Sequence, residues 1–369
     1  VRLRDASGWL RDTLLRLFPH ATEPGLHRIG DPGPDSPVLL TGNFTLTVRR
    51  LERTLAGRDA WLLVANSGGM NVWCGAGGGH LTDHDVIAVI RASRIGELVA
   101  HRDLVLPQLS ATGVQRRRVG EATGWRARWG PARLEDLPGF LDRGGRVTRS
   151  HRLMRFPLWE RLEMSLMWAP PMALAAAVIL GLLRSWRLGL VGAVVIALIV
   201  PAIFALLPGL RVVGRGRWLT YGGFAAAGVA AGAGLLALRE PLVGGDLAAL
   251  SAACVAAMLI LSIDLAGTTP WFPSTINTFH NRHSIELLEE SCTGRAECVQ
   301  VCPRGVLRMD GVRRKVEIAQ PESCIRCGAC IVQCPSDALR FRFDDGRIVE
   351  PDTVRRTRLN MLGRRTVHL

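Results

Sequence analysis

The residues best suited to chemistry in this 369-residue chain are its cysteines, seven of which fall between positions 292 and 334. The later group reads Cys324-x2-Cys327-x2-Cys330-x3-Cys334-Pro335. Three thiolates at this spacing hold one [4Fe–4S] cube, and the fourth reaches across to a second cluster. The pattern recurs 32 residues earlier, where Cys292, Cys298, Cys302 and Pro303 stand for Cys324, Cys330, Cys334 and Pro335. Arg295 stands for Cys327. Structural zinc closes with four ligands, usually as two separated C-x2-C pairs, and does not need this run. Ligands interleave between the two runs. One set, Cys324, Cys327, Cys330 and Cys302, is complete. The other is Cys292, Cys298 and Cys334, with Arg295 in the fourth place. A guanidinium only donates and cannot bind iron. The expectation is one [4Fe–4S] cluster beside one [3Fe–4S], or a [4Fe–4S] with a labile iron. Glu297 is an out-of-register alternative for an oxygen ligand.

A second motif lies far upstream, Asn71-Val72-Trp73-Cys74-Gly75-Ala76-Gly77-Gly78-Gly79. A dinucleotide loop would need G-x-G-x-x-G, and the sixth position counted from Gly75 is His80, so that reading fails. A free cysteine is ordinarily a small core residue. The flanking glycines argue otherwise, because they mark a place where backbone approaches something closely.

The elements that position these groups fall into three parts. From about Pro37 to Arg143, apolar strands alternate with helical stretches. PVLLTGNF runs from a strand into a turn, TLTVRRLERTLAG is an amphipathic helix, and DAWLLVANSGG is a strand. DHDVIAVIRAS is a helix with Thr82 or Asp83 as N-cap. ELVAHRDLVLPQL and GWRARWGP continue the alternation. This predicts an open, largely parallel, Rossmann-like α/β sheet with ligands at the strand carboxyl ends.

The middle is apolar. Met164–Leu183, Leu188–Leu210, Trp218–Leu238 and Leu247–Ile263 carry no charge, and each has about the length that a ~30 Å bilayer core requires. They predict a transmembrane bundle of four spans. Pro201 and Pro208 sit in the second span, and Cys254 reads as packing. Arginines crowd before the first span and in the second loop (Arg211, Arg215, Arg217), which places both soluble parts on the cytoplasmic side of the inner membrane. The net charge of +14 is spread out without a basic-aromatic motif, so it fits an anionic membrane surface better than a nucleic acid. The opening VRLRDASGWL has no signal-peptide core. Cysteines spent on clusters imply a reducing compartment without disulfides.

Taken together, NVWCGAGGG, PVLLTGNFTLT, HRDLVLPQLSATGV and GWRARWGPARLEDLPGFLD resemble HgcA, the corrinoid protein family of microbial mercury methylation. Its partner family, HgcB, is a small two-cluster ferredoxin, and here a module of that type follows the spans. The resemblance implies a corrinoid-binding domain with an N-terminal extension over 1–150 and a transmembrane domain over 151–270. It implies an α+β two-cluster ferredoxin over 271–345 and a basic tail over 346–369. Cys74 would be the lower axial thiolate on cobalt. Asn71, Val72, Trp73 and Gly75 would shape a cap helix beneath the corrin. Thr41, Gly42 and Asn43, with Leu106, Pro107 and Gln108, would lie near the macrocycle. His80 and His101 are read as surface or capping residues.

The implied activity is a corrinoid-dependent methyltransferase. A soft thiolate opposite a cobalt-bound methyl favours its release as a carbanion or radical, and a tethered ferredoxin supplies electrons at high effective concentration. The implied partners are the membrane, an electron donor, and a methyl-donor protein or methyltetrahydrofolate-dependent methyltransferase. Hg(II) or another soft acceptor takes the methyl group. The motif departs from the family pattern C-A-[AG]-G-K by lacking the lysine, and no cysteine follows Cys334, which weakens mercury as acceptor. Two alternatives stand beside this reading: a corrinoid/iron–sulfur methyl carrier for another enzyme, and a membrane electron-transfer ferredoxin with a corrinoid-sensing domain.

Overall fold

The computed structural model describes residues 20–212, 214–238, 241–265 and 283–360, together with Gly8, Arg11, Trp271 and 363–366. Most of the opening decapeptide and the last three residues lie outside the described residues. The chain divides into two compact units: Val1–Phe18 with Phe156–Ala266, and Pro19–Arg155 with Gly267–Leu369.

In the second unit, five strands form one sheet in the order β1-β3-β2-β4-β5: β1 (Gly25–Ile29), β2 (Val38–Gly42), β3 (Ala60–Ala65), β4 (Asp103–Leu106) and β5 (Arg126–Trp129). Strands β2 to β5 run parallel, and β1 is an antiparallel edge that the alternation alone did not reveal. Every residue of β2 and β3 is buried, as strands covered by helices on both faces must be. Helix α1 (Thr45–Thr54) buries Leu46, Val48 and Leu51, and Val48 and Leu51 share one apolar layer with Leu39, Leu62 and Phe140. The opposite layer holds Leu40, Leu63, Val86, Ile90 and Trp129. The cap helix α2 (Val72–Gly77) follows β3. Helix α3 (Asp83–Ser93) starts at Thr82, whose backbone N–H and hydroxyl both donate to Asp85 at 2.8 Å. That closed first turn selects Thr82 as the N-cap.

The ferredoxin part makes the 32-residue offset visible as a repeated backbone. Each copy runs strand, cysteine loop, short helix, strand. The first copy has β6 (His283–Leu287), the helix Glu297–Val301 and β7 (Leu307–Asp310). The second has β8 (Lys315–Ile318), the helix Ala329–Val332 and β9 (Leu339–Phe343). The copies exchange strands, so that β6 pairs with β9 and β7 with β8, both antiparallel. Left-handed residues also recur at the offset: Gly294 with Arg326, Ala296 with Gly328, Gly305 with Asp337, and Arg314 with Gly346.

Among the described residues, the first unit contains four helices long and apolar enough to cross a membrane: Leu158–Leu183, Trp186–Gly209, Arg217–Ala237 and Gly244–Ile263. Each contains most or all of one expected span. Pro201 lies inside the second helix, and Pro208 lies in the short 3-10 turn that ends it. Pro170 and Pro171 lie inside the first. Cys254 is fully buried, and a Cβ on Gly228 would come within 3.1 Å of its sulfur. This is the close approach that small residues permit between apolar helices. Arg184 pairs with Asp246 at 3.0 Å, and Arg187 donates to the Leu236 carbonyl at 2.5 Å.

Candidate functional site

The cap helix is held by its own first residues. Asn71 is the N-cap, and its Oδ1 accepts from the Cys74 N–H at 2.8 Å, which satisfies one of the helix's orphan donors. The other end of the same amide, Nδ2, donates to Cys74 Sγ at 3.4 Å. One side chain thus fixes the backbone of Cys74 and aims a donor at its sulfur. Cys74 is half-buried and forms no disulfide. Val72, Gly75 and Ala76 face inward, and Trp73 is half-buried.

The strand ends supply the remaining residues of interest. Thr41 and Gly42 end β2, and Leu106 ends β4. Pro107 precedes the 3-10 turn Gln108–Thr112. Asn43 is 2% exposed and acts as a hub. Its Oδ1 accepts from the N–H groups of Ser67 at 2.8 Å and Gly69 at 3.0 Å, and its Nδ2 donates to the Thr22 carbonyl at 3.3 Å. Its polar atoms thus hold the loop that leads into the cap helix. Gln108 Nε2 donates to the Arg152 carbonyl at 2.9 Å. Among the described residues, Thr41 Oγ1, Gln108 Oε1 and Thr112 Oγ1 are buried without a hydrogen-bond partner. Such groups are few in folded proteins. They fall at the carboxyl end of β2 and in the turn after β4, where an open α/β sheet binds its ligands. Unpartnered polar groups at these ends, with a half-buried thiol nearby in the fold, fit a macrocycle rimmed by amides around a thiophilic metal. His101 is occupied structurally: its ring bridges the Ser36 carbonyl at 3.0 Å and the Asp103 N–H at 3.1 Å.

The seven downstream cysteines sort into two neighbourhoods. Burial pushes the Cys298 thiol up to about 12, and the proximity of Cys334 and Cys292 adds to the effect. Burial pushes Cys324 up to about 11, with Cys302 as its charged neighbour. Cys327 and Cys330 are raised further, again by burial first, and both feel Cys302 and Cys324. The neighbours thus divide mainly as Cys302, Cys324, Cys327 and Cys330 and as Cys292, Cys298 and Cys334, with Cys298 also close enough to act on Cys330. Buried thiols of this kind stay protonated unless a metal replaces the proton, which is the condition of a cluster site. Among the described residues no three His, Cys, Asp or Glu side chains close on one point as around a lone ion. The ligands of a cubane bind four separate irons and need not do so. Sulfur acceptors are also paired symmetrically: the Val306 N–H donates to Cys302 Sγ at 3.3 Å and the Ala338 N–H to Cys334 Sγ at 3.2 Å. Arg295 is exposed, and Glu297 is paired with Arg116 at 2.7 Å.

The 3-10 turn Gln108–Thr112 joins the two regions. On one side Gly113 abuts the cap helix, where a Cβ would come within 2.5 Å of the Ala76 and Leu81 carbonyls. On the other side it receives Gln333, which lies between Cys330 and Cys334. Gln333 Nε2 donates to the carbonyls of Ala111 at 2.8 Å and Val114 at 2.7 Å, and its Oε1 accepts from the Arg116 N–H at 3.2 Å. Cys327, Ala329 and Val301 pack into the same apolar layer as Ala76, Ala111 and Val114. Sequence reasoning missed Gln333 and Gly113. The one local signal was an amide placed in the apolar turn Ile331-Val332-Gln333.

Comparison with known proteins agrees with this division. Residues 16–141 match the family of the CO dehydrogenase/acetyl-CoA synthase delta subunit, and residues 284–349 match a 4Fe-4S dicluster domain. The acetyl-CoA decarbonylase/synthase complex subunit gamma of Methanopyrus kandleri is 43% identical over 129 residues, 34% of this chain and 28% of that protein. The subunit of the same name from Archaeoglobus fulgidus is 39% identical over 127 residues, 34% of this chain and 27% of its own length. The chain thus spans under a third of the length of these curated relatives. One polypeptide here joins a domain of the CO dehydrogenase/acetyl-CoA synthase delta-subunit family, of corrinoid/iron–sulfur type, to a 4Fe-4S dicluster domain.

Proposed function

We propose that this chain is a membrane-bound corrinoid-dependent methyltransferase that passes a methyl group to Hg(II) or another soft acceptor and is re-reduced by its own ferredoxin. The observation that carries this reading is the shared apolar layer in which Cys327 packs with Ala76 of the cap helix and Ala111 of the 3-10 turn. A corrinoid bound there would supply methyl transfer through its cobalt. Cys74 would ligate that metal, with Asn71 orienting the sulfur. Thr41, Gln108 and Thr112 would offer their unpartnered polar atoms to the ring's amides. Asn43 holds the loop behind the cap helix.

Cys302, Cys324, Cys327 and Cys330 would hold one [4Fe–4S] cluster, and Cys292, Cys298 and Cys334 a [3Fe–4S] or a labile [4Fe–4S]. Cys327 of the complete set packs in the layer of the cap helix, which supports that set as the one to hand over electrons. Gln333 keeps that layer seated. The arginine distribution supports an inner-membrane location with both soluble parts cytoplasmic. The methyl group would come from a donor protein or a methyltetrahydrofolate-dependent methyltransferase, and electrons from a separate reductant.

A carrier role is the second reading. It is favoured by the relatives, which are named as subunits of an acetyl-CoA decarbonylase/synthase complex. Two measurements test the proposal. Ultraviolet-visible and EPR spectra of the purified protein should show a corrinoid together with iron–sulfur centres. Methylated protein should then lose its methyl group on addition of Hg(II). Retention of the methyl under those conditions would favour the carrier, and absence of any corrinoid would end both readings.

A further inference from the structure

A cleft of about 570 Å³ opens between the end of β5, the segment Val147–Leu153 and the first cysteine run. No residue of the cap helix lines it, and Cys302 forms part of its wall. Its lining includes Arg116, Arg128, Arg149, Arg152 and Arg308, and no aspartate or glutamate among the described residues. Three of these arginines are already paired: Arg116 with Glu297 at 2.7 Å, Arg128 with Asp103 at 3.6 Å and Arg308 with Glu317 at 2.6 Å. Among the described residues, Arg149 and Arg152 have no carboxylate partner. Arg152 uses Nη1 on the carbonyls of Trp129 at 3.3 Å and Gly130 at 3.0 Å. Burial also pushes its guanidinium down to about 10. A cation withdrawn from water without a counter-charge is costly unless an anion joins it. The floor is apolar, formed by Leu153, Val299, Leu307 and Met309.

We infer that this cleft binds a phosphate-bearing small molecule with an apolar body, held chiefly by Arg149 and Arg152. Arginine forks match phosphate oxygens in pairs, and the apolar floor takes the uncharged part. On the reading that Cys302 ligates the complete cluster, the bound anion lies against that cluster. Negative charge there disfavours reduction, so the ligand makes the cluster a stronger reductant.

Titration calorimetry of the full chain in detergent, with inorganic pyrophosphate as probe, tests the binding independently of any cluster assignment. Saturable binding is expected, weakened about tenfold or more by Arg152→Gln and also by Arg149→Glu. Arg149 is exposed at the cleft mouth, so its replacement leaves the fold intact if Arg152→Gln does not. Arg94→Gln, on a remote helix end, should leave the affinity unchanged. Lack of saturable binding, or equal weakening by all three variants, overturns the site. Pyrophosphate should also lower the midpoint potential of the complete cluster. Binding without that shift retains the site but removes its link to the cluster.

Discussion

Gln333 donates from Nε2 to the carbonyl of Ala111 across 2.8 Å, a bond between residues 222 positions apart. It joins the turn between Cys330 and Cys334 to the turn that supports the cap helix. Gln333→Leu leaves two buried carbonyls and one N–H without their partner, a loss of roughly 1–3 kcal/mol. Denaturant unfolding of the full chain should show a lower midpoint, and electron delivery to a bound corrinoid should slow in rapid-mixing experiments. A wild-type midpoint and rate would show that the bond positions nothing.

Asn71 and Cys74 form the second pair. Asn71→Ala removes the N-cap, at a cost of about 1 kcal/mol, along with the donor to sulfur. Cys74→Ala should abolish methyl transfer, since alanine cannot coordinate a metal. Cys74→His should retain corrinoid yet lose most transfer to a soft acceptor. Full activity in Cys74→Ala, measured with methylated protein, removes the axial-thiolate role.

Arg295 stands 32 residues before Cys327, yet the loop around it keeps the backbone of its later counterpart. Gly294 and Ala296 have φ of 70° and 56°, against 57° and 77° at Arg326 and Gly328. Oxidised protein should therefore show a [3Fe–4S] EPR signal near g ≈ 2. Arg295→Cys should remove it by completing a [4Fe–4S] cluster. Mössbauer spectra of anaerobic cells showing two intact cubanes would make the three-iron form a product of purification.

Asp103, at the start of β4, links stability to pH. Hydrogen bonds from Arg126 hold its carboxylate below the usual range, against the opposing effect of burial, and Arg128 and His101 add to the lowering. A depressed carboxylate stabilises the fold above its unfolded value and loses that contribution as pH falls through the folded value. Thermal midpoints should therefore decline below roughly pH 4. Asp103→Asn should lower the neutral-pH midpoint and flatten that decline. An unchanged acid limb in the variant would place the effect elsewhere.

Topology is testable with reporter fusions. Fusions after Leu210 and after Ile263 should read cytoplasmic, and one after Leu183 external. An external reading after Ile263 would separate the ferredoxin from a cytoplasmic α/β part and end the internal-reductant scheme.

Much of this was legible in the sequence because it rests on local rules. Cysteine spacing is a statement about loop geometry, so the 32-residue offset already implied two similar loops. The chemistry of a guanidinium marked Arg295 as the odd position. Uncharged stretches gave the apolar helices, since length and composition alone decide that property. Continuous apolar runs gave β2 and β3. Other features depend on residues distant in sequence, and only the tertiary structure decided them. Strand β1 is too polar to stand out until it pairs with β3. The hub role of Asn43 needs Ser67 and Gly69 beside it. Glu297, named as a spare oxygen ligand, is paired with Arg116, whose position comes from the other domain. Gln333 stood out in its own run only as an amide among apolar residues, because its partners, Ala111 and Val114, lie more than 200 residues away. A single sequence fixes the chemistry each side chain carries, but a hydrogen bond across two domains exists only once both have folded and packed.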